Sequence, residues 1–227
     1  MYDVAFVKSK GDLGRSLPPE RIFKEPKILI QRTRRGMKRK LVCYFDEEGF
    51  YNLNRLSNVV LEDDSYSLKF IYALLNSELM DFYFNKVYNE YEVKPVHLSK
   101  LPIKSSSKKE QQPLVDCADK MLTLHQSISE QSQKFIDLLR ANFVFEPTAK
   151  LKKWHALEFI DVIAELGKGG AKVPPKKQGE WLELFKAEKE KIKTIQVQIE
   201  KTDREIDQLV YALYELTPEE IAIVEKG

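Results

Sequence analysis

The sequence predicts an α+β fold, in which a mixed α/β region over residues 1–104 is followed by a long antiparallel, coiled-coil-like helical region over residues 105–227. Three observations support this division. Short runs rich in β-branched and aromatic residues occur before residue 62. The hydrophobic period then changes from two to between three and four residues. Apolar positions spaced seven residues apart finally occur in two separate segments, one after the linker at 105–109 and one near the C-terminus.

The first region contains the expected strands and one expected helix. We predict strands at residues 4–8, 27–32, 40–45, 50–53 and 58–61, with a hairpin turn at residues 46–49 between the third and the fourth. From Ser67 to Val87, apolar side chains recur at helical spacing, which predicts one amphipathic helix. A short strand at residues 94–98 is expected to end the region.

The second region begins after a polar linker at residues 105–109. Heptad rows predict two long helices at about residues 110–141 and 180–216, and these pair most simply within one chain as an antiparallel coiled coil. A connecting helix is expected at residues 151–166, before a glycine- and proline-containing stretch. Thr217, Pro218 and Glu220 have the spacing of a capping box and predict a short final helix.

Composition excludes several classes of protein. The 227 residues are 43% hydrophobic and 32% charged with a net charge of +2, which is typical of a folded protein of one or two domains. Neither a signal peptide nor an apolar run long enough for a membrane span is present, so we expect a cytoplasmic protein that does not contact membranes. Two distant cysteines, Cys43 and Cys117, exclude a disulfide framework.

The near-neutral average hides a local excess of positive charge. Residues 21–40 contain one acidic residue, Glu25. The nine basic residues in the same stretch are Arg21, Lys24, Lys27, Arg32, Arg34, Arg35, Lys38, Arg39 and Lys40. A segregated distribution of this kind produces a local positive field, which a specific contact with a polyanion requires.

No catalytic centre can be assigned from the sequence. Glycine-rich phosphate loops and serine nucleophile elbows are absent, and the three histidines have no partner at ligand spacing, so we expect neither a catalytic residue nor a bound metal. Glu92, Val93 and Lys94 resemble half of a metal-dependent nuclease signature, but no aspartate precedes them at a strand end, so a solvated strand edge is the better interpretation. An Asn-Pro-Pro-aromatic loop for methylating a base amino group is also missing.

The candidate binding residues lie in the basic segment and in the predicted hairpin that follows it. Arginine can bind guanine or phosphate through two hydrogen bonds, and asparagine or glutamine can pair with adenine in the same way. The candidates for DNA contact are Gln31, Arg32, Arg34, Arg35, Lys38, Arg39, Lys40, Tyr51, Asn52, Asn54 and Arg55, with Lys94 and His97 as weaker candidates. A solvated sheet edge and an anionic protein partner are the alternatives.

Five segments in this order carry a resemblance to a known family. They are KILIQRT at 27–33, GFYNLN at 49–54, YALLNSEL at 72–79, LSKLPI at 98–103 and TDREIDQLVYALYELTPEEI at 202–221. Together they resemble the TaqI-type C-terminal specificity domain, the target recognition module of type IIG restriction-modification enzymes and related adenine-specific DNA methyltransferases. The resemblance implies that residues 1–104 recognise double-stranded DNA and that the paired helices form a spacer.

The resemblance also implies that catalysis lies outside this chain. A methyltransferase domain and commonly a nuclease domain are expected in the same polypeptide or as a separate subunit. S-adenosylmethionine and Mg²⁺ are then expected only in those domains. The chain is therefore expected to be either a C-terminal fragment or a separate specificity subunit. Two other functions remain open at this point: a coiled-coil assembly protein with an incidental basic loop, and a protein that binds single-stranded nucleic acid or RNA through stacking aromatic residues.

Overall fold

A computed structural model describes residues 2–3, 19–33, 39–62, 64–88, 90 and 92–227 of the chain. Its sheet has the strand order β1-β4-β2-β3, with antiparallel pairing throughout. The strands are β1 (Tyr2–Asp3), β2 (Lys27–Gln31), β3 (Cys43–Asp46) and β4 (Leu56–Leu61). The strand predicted at residues 4–8 lies outside the described residues. The predictions at 27–32, 40–45 and 58–61 are confirmed as strands, although their ends differ by a few residues.

Most of the described chain is helical, which confirms the predicted α+β class. The α-helices are α1 (Arg21–Lys24), α2 (Leu68–Leu75), α3 (Glu78–Val87), α4 (Pro95–Leu98), α5 (Lys108–Asn142), α6 (Phe159–Lys168), α7 (Gln178–Leu213) and α8 (Pro218–Lys226). Two 3₁₀ turns lie at Leu151–Ala156 and Pro175–Lys177. None of the described helices combines the length and the apolar character of a membrane span.

Three of the predicted elements are wrong in type or extent. The single helix expected up to Val87 is two helices, because Ser77 interrupts it and its side chain accepts a hydrogen bond from the backbone of Met80. Residues 94–98 form the helical turn α4 instead of a strand, since Pro95 occupies the first helical position. The connecting helix predicted at 151–166 is a 3₁₀ turn followed by α6.

The predicted hairpin at residues 40–53 is also wrong. Strand β3 pairs with β2, with Lys27 opposite Asp46 and Ile30 opposite Cys43. Residues 50–53 form no strand. They belong to an irregular segment between β3 and β4, which we name the 47–55 loop. Asp46 does not start a tight turn, because its carboxylate binds the backbone of the loop that follows.

The first of two compact units contains the described residues up to Lys120 together with Asp203–Gly227. Its core places Ile28 and Ile30 of the sheet with Phe70 and Leu74 of α2 out of contact with water. The end of α7 belongs to this unit. Asp207 accepts a hydrogen bond from the backbone of Glu78 at the start of α3 (2.8 Å), and helix α8 packs against α3.

The second compact unit contains residues Met121–Thr202. Its apolar core surrounds Trp154, whose indole nitrogen donates to the carbonyl of Ser132 (3.1 Å). Phe135 of α5 and Phe185 of α7 both contact the Trp154 ring. The sequence division at residue 104 differs from these two units, and as a statement about domains it stays a prediction.

The two long helices run antiparallel, as predicted. Inside the second unit, Phe135 faces Phe185 with ring centroids 6.2 Å apart, and Phe143 faces Trp181 at 5.2 Å. The later residue of the α5 side, Phe143, contacts the earlier residue of α7, Trp181, so the two helices run in opposite directions. The heptad rows therefore contact each other within one chain. His125, which lies in one predicted row, is exposed instead.

The predicted capping box of Thr217 and Glu220 is confirmed at the start of α8.

Candidate nucleic-acid interface

Arg32 connects three segments at the end of β2. One of its guanidinium nitrogens donates to the carbonyl of Asn54 (3.1 Å), and the other pairs with the Glu92 carboxylate (2.7 Å). The Arg32 backbone donates to the carbonyl of Arg55 and accepts from the amide of Val93. Thr33, the last described residue before Arg34, forms a bridge with Glu92. Arg32 therefore fixes the end of the 47–55 loop beside Thr33.

A buried ion pair fixes the beginning of the same loop. The side chains of Lys27 and Asp46 are 0% and 2% exposed and bind each other directly. The Lys27 ammonium also donates to the carbonyl of Phe23 (2.5 Å). The Asp46 carboxylate accepts from the backbone amides of Glu48 (2.9 Å), Gly49 (3.2 Å) and Phe50 (3.0 Å). Burial opposes ionisation of Asp46, but these hydrogen bonds outweigh burial and hold the pKa of the carboxyl below its ordinary value.

Tyr51 supports the middle of the loop from outside. Its ring stacks on Phe23 with centroids 4.9 Å apart, and its hydroxyl donates to Glu20 (3.1 Å). Hydrogen bonds from Lys24 and then from Tyr51 hold the pKa of Glu20 below its ordinary value. Desolvation and the bond to Glu20 in turn raise the pKa of the Tyr51 hydroxyl. Tyr51 therefore stays protonated and stays bonded to the α1 segment at physiological pH.

The side chains of the loop divide into an inward and an outward group. Asn52 braces the backbone, since its amide donates to the carbonyls of Leu53 (3.3 Å) and Leu56 (3.4 Å). The side chains of Asn54 and Arg55 are exposed. Phe50 and Leu53 also face solvent, at 59% and 82% exposure. Two polar groups capable of binding bases therefore lie in the same short loop as two apolar side chains.

Arg39 and Lys40 hold the other end of the basic segment against the helices. The Arg39 guanidinium donates to the carbonyl of Asn76, and the Lys40 ammonium donates to the carbonyl of Tyr88 (3.2 Å). The buried Asp81 carboxylate accepts from the amides of Lys40 (2.8 Å) and Leu41 (2.7 Å). Both side chains are half-buried, so their charges lie close to the protein surface.

The two weaker candidates lie on α4. Lys94 pairs with Glu90, and this contact is the main cause of the lowered pKa of Glu90. His97 is buried, stacks on Tyr88 with ring centroids 4.3 Å apart, and lies 3.7 Å from Glu90 through Nε2. The structure therefore keeps the His97 ring in a packing contact, while the Lys94 side chain stays half-exposed.

Some of the predicted site residues lie outside the described part of the chain. The structure also brings into the site residues that the sequence did not indicate. Arg34, Arg35 and Lys38 lie outside the described residues. Gln31 bonds to the carbonyl of Thr33 (3.1 Å), next to Arg32. Lys27, Asp46, Glu92 and Phe23 were not among the candidates, although a lysine beside the apolar Ile28–Ile30 run was a detectable sign of a buried charge. In the described part of the chain, no group of His, Cys, Asp and Glu is placed to hold a metal ion.

The fold and the site define a small antiparallel α+β domain that presents a fixed loop and a basic segment, joined to a pair of long helices. Comparison with known families agrees with this description. Residues 4–103 match the TaqI-like C-terminal specificity domain. This confirms the resemblance found in the sequence, and for this part of the chain it indicates a DNA specificity domain of restriction-modification enzymes.

The helical part matches a different family. Residues 107–210, which include most of both long helices, match a domain of unknown function, DUF8810. Searches among curated proteins and among solved structures gave no significant match.

Proposed function

We propose that this chain is a sequence-specific recognition module for double-stranded DNA, which positions a separate adenine methyltransferase or endonuclease domain on its target site. The match of residues 4–103 to a specificity domain is the observation that carries the proposal. The loop geometry supports it, because a DNA-reading element needs polar side chains held in a fixed register. S-adenosylmethionine and Mg²⁺ would be bound by the separate catalytic domains.

The structure suggests a division of labour among the candidate residues. Asn54 and Arg55 are exposed on the fixed 47–55 loop and are the best placed of the described candidates to read base edges. Arg32 and Asn52 hold the loop in shape, so their substitution would act through the loop backbone. Arg39, Lys40 and Lys94 would contact phosphates of the DNA backbone. Arg34, Arg35 and Lys38 complete the proposed footprint on the basis of their charge alone.

A salt series tests the proposal. Binding of the full chain to a 25-base-pair duplex of random sequence is measured by fluorescence anisotropy over a range of salt concentrations. A protein that binds phosphates shows log K falling linearly with log salt, with a slope of roughly 0.9 per neutralised phosphate. R55A removes a proposed base reader and is expected to leave the slope nearly unchanged. The double variant R34A/R35A is expected to reduce it by up to about two.

K186A is the matched control. Lys186 is an exposed lysine of α7 that already pairs with Glu183 (2.9 Å), so the variant removes the same charge away from the loop. The control is expected to retain the slope of the unmodified protein. Binding that does not depend on salt, or a slope that K186A reduces as much as R34A/R35A does, would contradict the proposal. Selection from a randomised duplex pool then identifies the preferred site, and R55A is expected to relax the preference at one position.

The heptad rows of α5 and α7 do not supply an independent argument for an assembly protein. Phe135, Phe143, Trp181 and Phe185 are used in contacts within the chain. We therefore assign these helices the spacer role that the specificity-domain resemblance implies, and we expect a monomer of 26.5 kDa in dilute solution. Sedimentation velocity over a hundredfold concentration range checks this expectation.

A further inference from the structure

We infer that the apolar side chains of the 47–55 loop, Phe50 and Leu53, contact the DNA bases directly, with Leu53 packing on base surface or thymine methyl groups in the groove that Asn54 and Arg55 read. This inference rests on the proposed function and adds a second kind of contact to it. It assigns a role in sequence specificity to apolar side chains, which cannot form hydrogen bonds with base edges.

The first support is the exposure of these residues. Isolated apolar side chains are common on protein surfaces and need no explanation. Here three large side chains of one short loop face outward, at 59% exposure for Phe50, 64% for Tyr51 and 82% for Leu53. Tyr51 has a structural partner in Phe23. Phe50 and Leu53 are the two whose apolar area is left to a binding partner.

The second support is that the loop backbone is fixed before any partner arrives. Asp46 binds three successive amides at its start, and Arg32 binds the carbonyls of Asn54 and Arg55 at its end. Gly49 has a φ of +76°, a conformation that a residue with a side chain adopts only with strain. A flexible loop would fold Leu53 back toward the protein. This loop cannot do so without breaking those bonds, and its ordering entropy does not oppose binding.

The third support concerns the chemistry of the partner. Three carboxylates in or near the loop, Glu20, Glu92 and Glu47, are paired with Lys24 (2.8 Å), Arg32 (2.7 Å) and Lys69 (3.7 Å), which reduces the negative charge that an approaching polyanion meets, while Glu48 at the start of the loop is exposed. Asn54 and Arg55 flank Leu53 with the two side-chain types that bind adenine and guanine edges. Arg34, the next basic residue, follows Thr33, which bridges to Glu92 beside the Arg32 contact with the loop. These features favour DNA over an apolar protein surface.

Protection of an introduced cysteine from alkylation tests the contact. Cys43 and Cys117 are buried and are expected to react slowly, so L53C and V144C each add one reactive thiol. Val144 lies in the second unit at 95% exposure and serves as the matched control. Iodoacetamide modification is followed by mass spectrometry at low salt, with and without saturating 25-base-pair duplex. We expect DNA to slow modification of L53C at least tenfold and that of V144C less than twofold.

The outcomes separate this inference from the proposed function. Absence of DNA binding would overturn both. Normal DNA binding with L53C modified at an unchanged rate would overturn the inference alone, and so would protection by a purified catalytic partner without DNA. A second measurement uses L53S and V144S on the selected site. L53S is expected to weaken binding about tenfold without changing the salt slope, because an apolar contact releases no counterions, whereas R34A/R35A is expected to reduce the slope.

Discussion

The 47–55 loop and the connection between α5 and α7, residues 143–177, both join regular elements, but the loop is irregular throughout and the connection contains α6 and two 3₁₀ turns. The loop is held by hydrogen bonds and a buried ion pair, and it exposes Phe50 and Leu53. The connection is held by apolar packing, with Leu151 and Trp154 completely buried. Its exposed residues include seven lysines, at positions 150, 152, 153, 168, 172, 176 and 177, and two apolar side chains, Val144 at 95% and Ile160 at 74% exposure.

Each arrangement has a physical consequence. Apolar burial stabilises the connection through contacts that do not depend on direction, and it leaves a surface on which charged side chains outnumber the isolated apolar residues Val144 and Ile160. At Gly169 the packing is so close that an added Cβ would lie 2.6 Å from the carbonyl of Glu146. Directional polar contacts in the loop fix its backbone while its apolar side chains remain in water. The loop therefore combines a fixed backbone with two exposed apolar side chains three residues apart, which favours an external contact, whereas the connection packs Phe145, Leu151 and Trp154 into its own core.

The largest effect is expected when the ion pair under the loop is broken. K27M leaves the Asp46 carboxylate buried without its cation, which should lower the free energy of unfolding by ~3 to 5 kcal/mol. Urea denaturation followed by far-UV circular dichroism measures the change. DNA binding is expected to weaken together with stability, since Asp46 no longer holds the loop amides in the same geometry.

The double variant K27M/D46L is the control for that experiment. Replacing both charged partners with apolar groups removes the unpaired buried charge and should recover a large part of the lost stability. DNA binding should not recover with it, because the loop amides of Glu48, Gly49 and Phe50 still lack their acceptor. Recovery of both properties would show that the ion pair stabilises the domain without organising the loop, and the contrast with the connection would then disappear.

A smaller effect is expected in the connection. W154F removes the indole nitrogen that donates to Ser132 and leaves space in the core of the second unit, which should lower the free energy of unfolding by ~1 to 3 kcal/mol. Trp181 remains as the only indole, so its fluorescence follows unfolding of this unit. DNA affinity should stay within twofold of the unmodified protein at low denaturant. A loss of affinity as large as that of R55A would place the connection in the DNA interface.

Periodicity predicted the regular parts of the fold well. The heptad rows identified both long helices, because burial on one face of an extended helix repeats over many turns. Strand β2 was recognisable since Ile28, Leu29 and Ile30 form an apolar run that is buried on both sides. The cap of α8 was readable from Thr217 and Glu220, since a capping box is set by residues close in sequence.

The failures occurred where a single tertiary contact outweighed the local pattern. Phe50 and Tyr51 have high strand propensity, but Asp46 binds the amides that strand pairing would use. The 94–98 stretch has alternating apolar residues, but Pro95 begins a helical turn and His97 packs under Tyr88. The sequence identified Asn54 and Arg55 as candidates by type. It gave no means of distinguishing them from Arg32 and Asn52, which are used inside the protein.

The smallest effect is expected on the stability of the second unit at low pH. The connection contains a buried carboxylate, and this carboxylate is Glu165. Glu165 accepts from Lys168 (2.6 Å) and from the Thr148 hydroxyl (2.6 Å), and these bonds, in that order, hold the pKa of the carboxyl below its ordinary value of 4.5. A lowered native pKa means that the ionised form is stabilised in the folded protein. Its contribution is therefore present above the unfolded-state pKa and is lost as the pH falls through the native pKa.

E165Q removes this titration while keeping the shape of the side chain. The unmodified protein should lose stability of the second unit between pH 5 and pH 3, measured as the urea midpoint of tryptophan fluorescence, and E165Q should lose less over the same interval. Both tryptophans, Trp154 and Trp181, lie in this unit, so the fluorescence does not report the 47–55 loop. Identical acid dependence in the two proteins would mean that the bonds of Glu165 do not stabilise the second unit. The connection would then be stabilised by apolar packing alone, in contrast to the polar contacts that hold the loop.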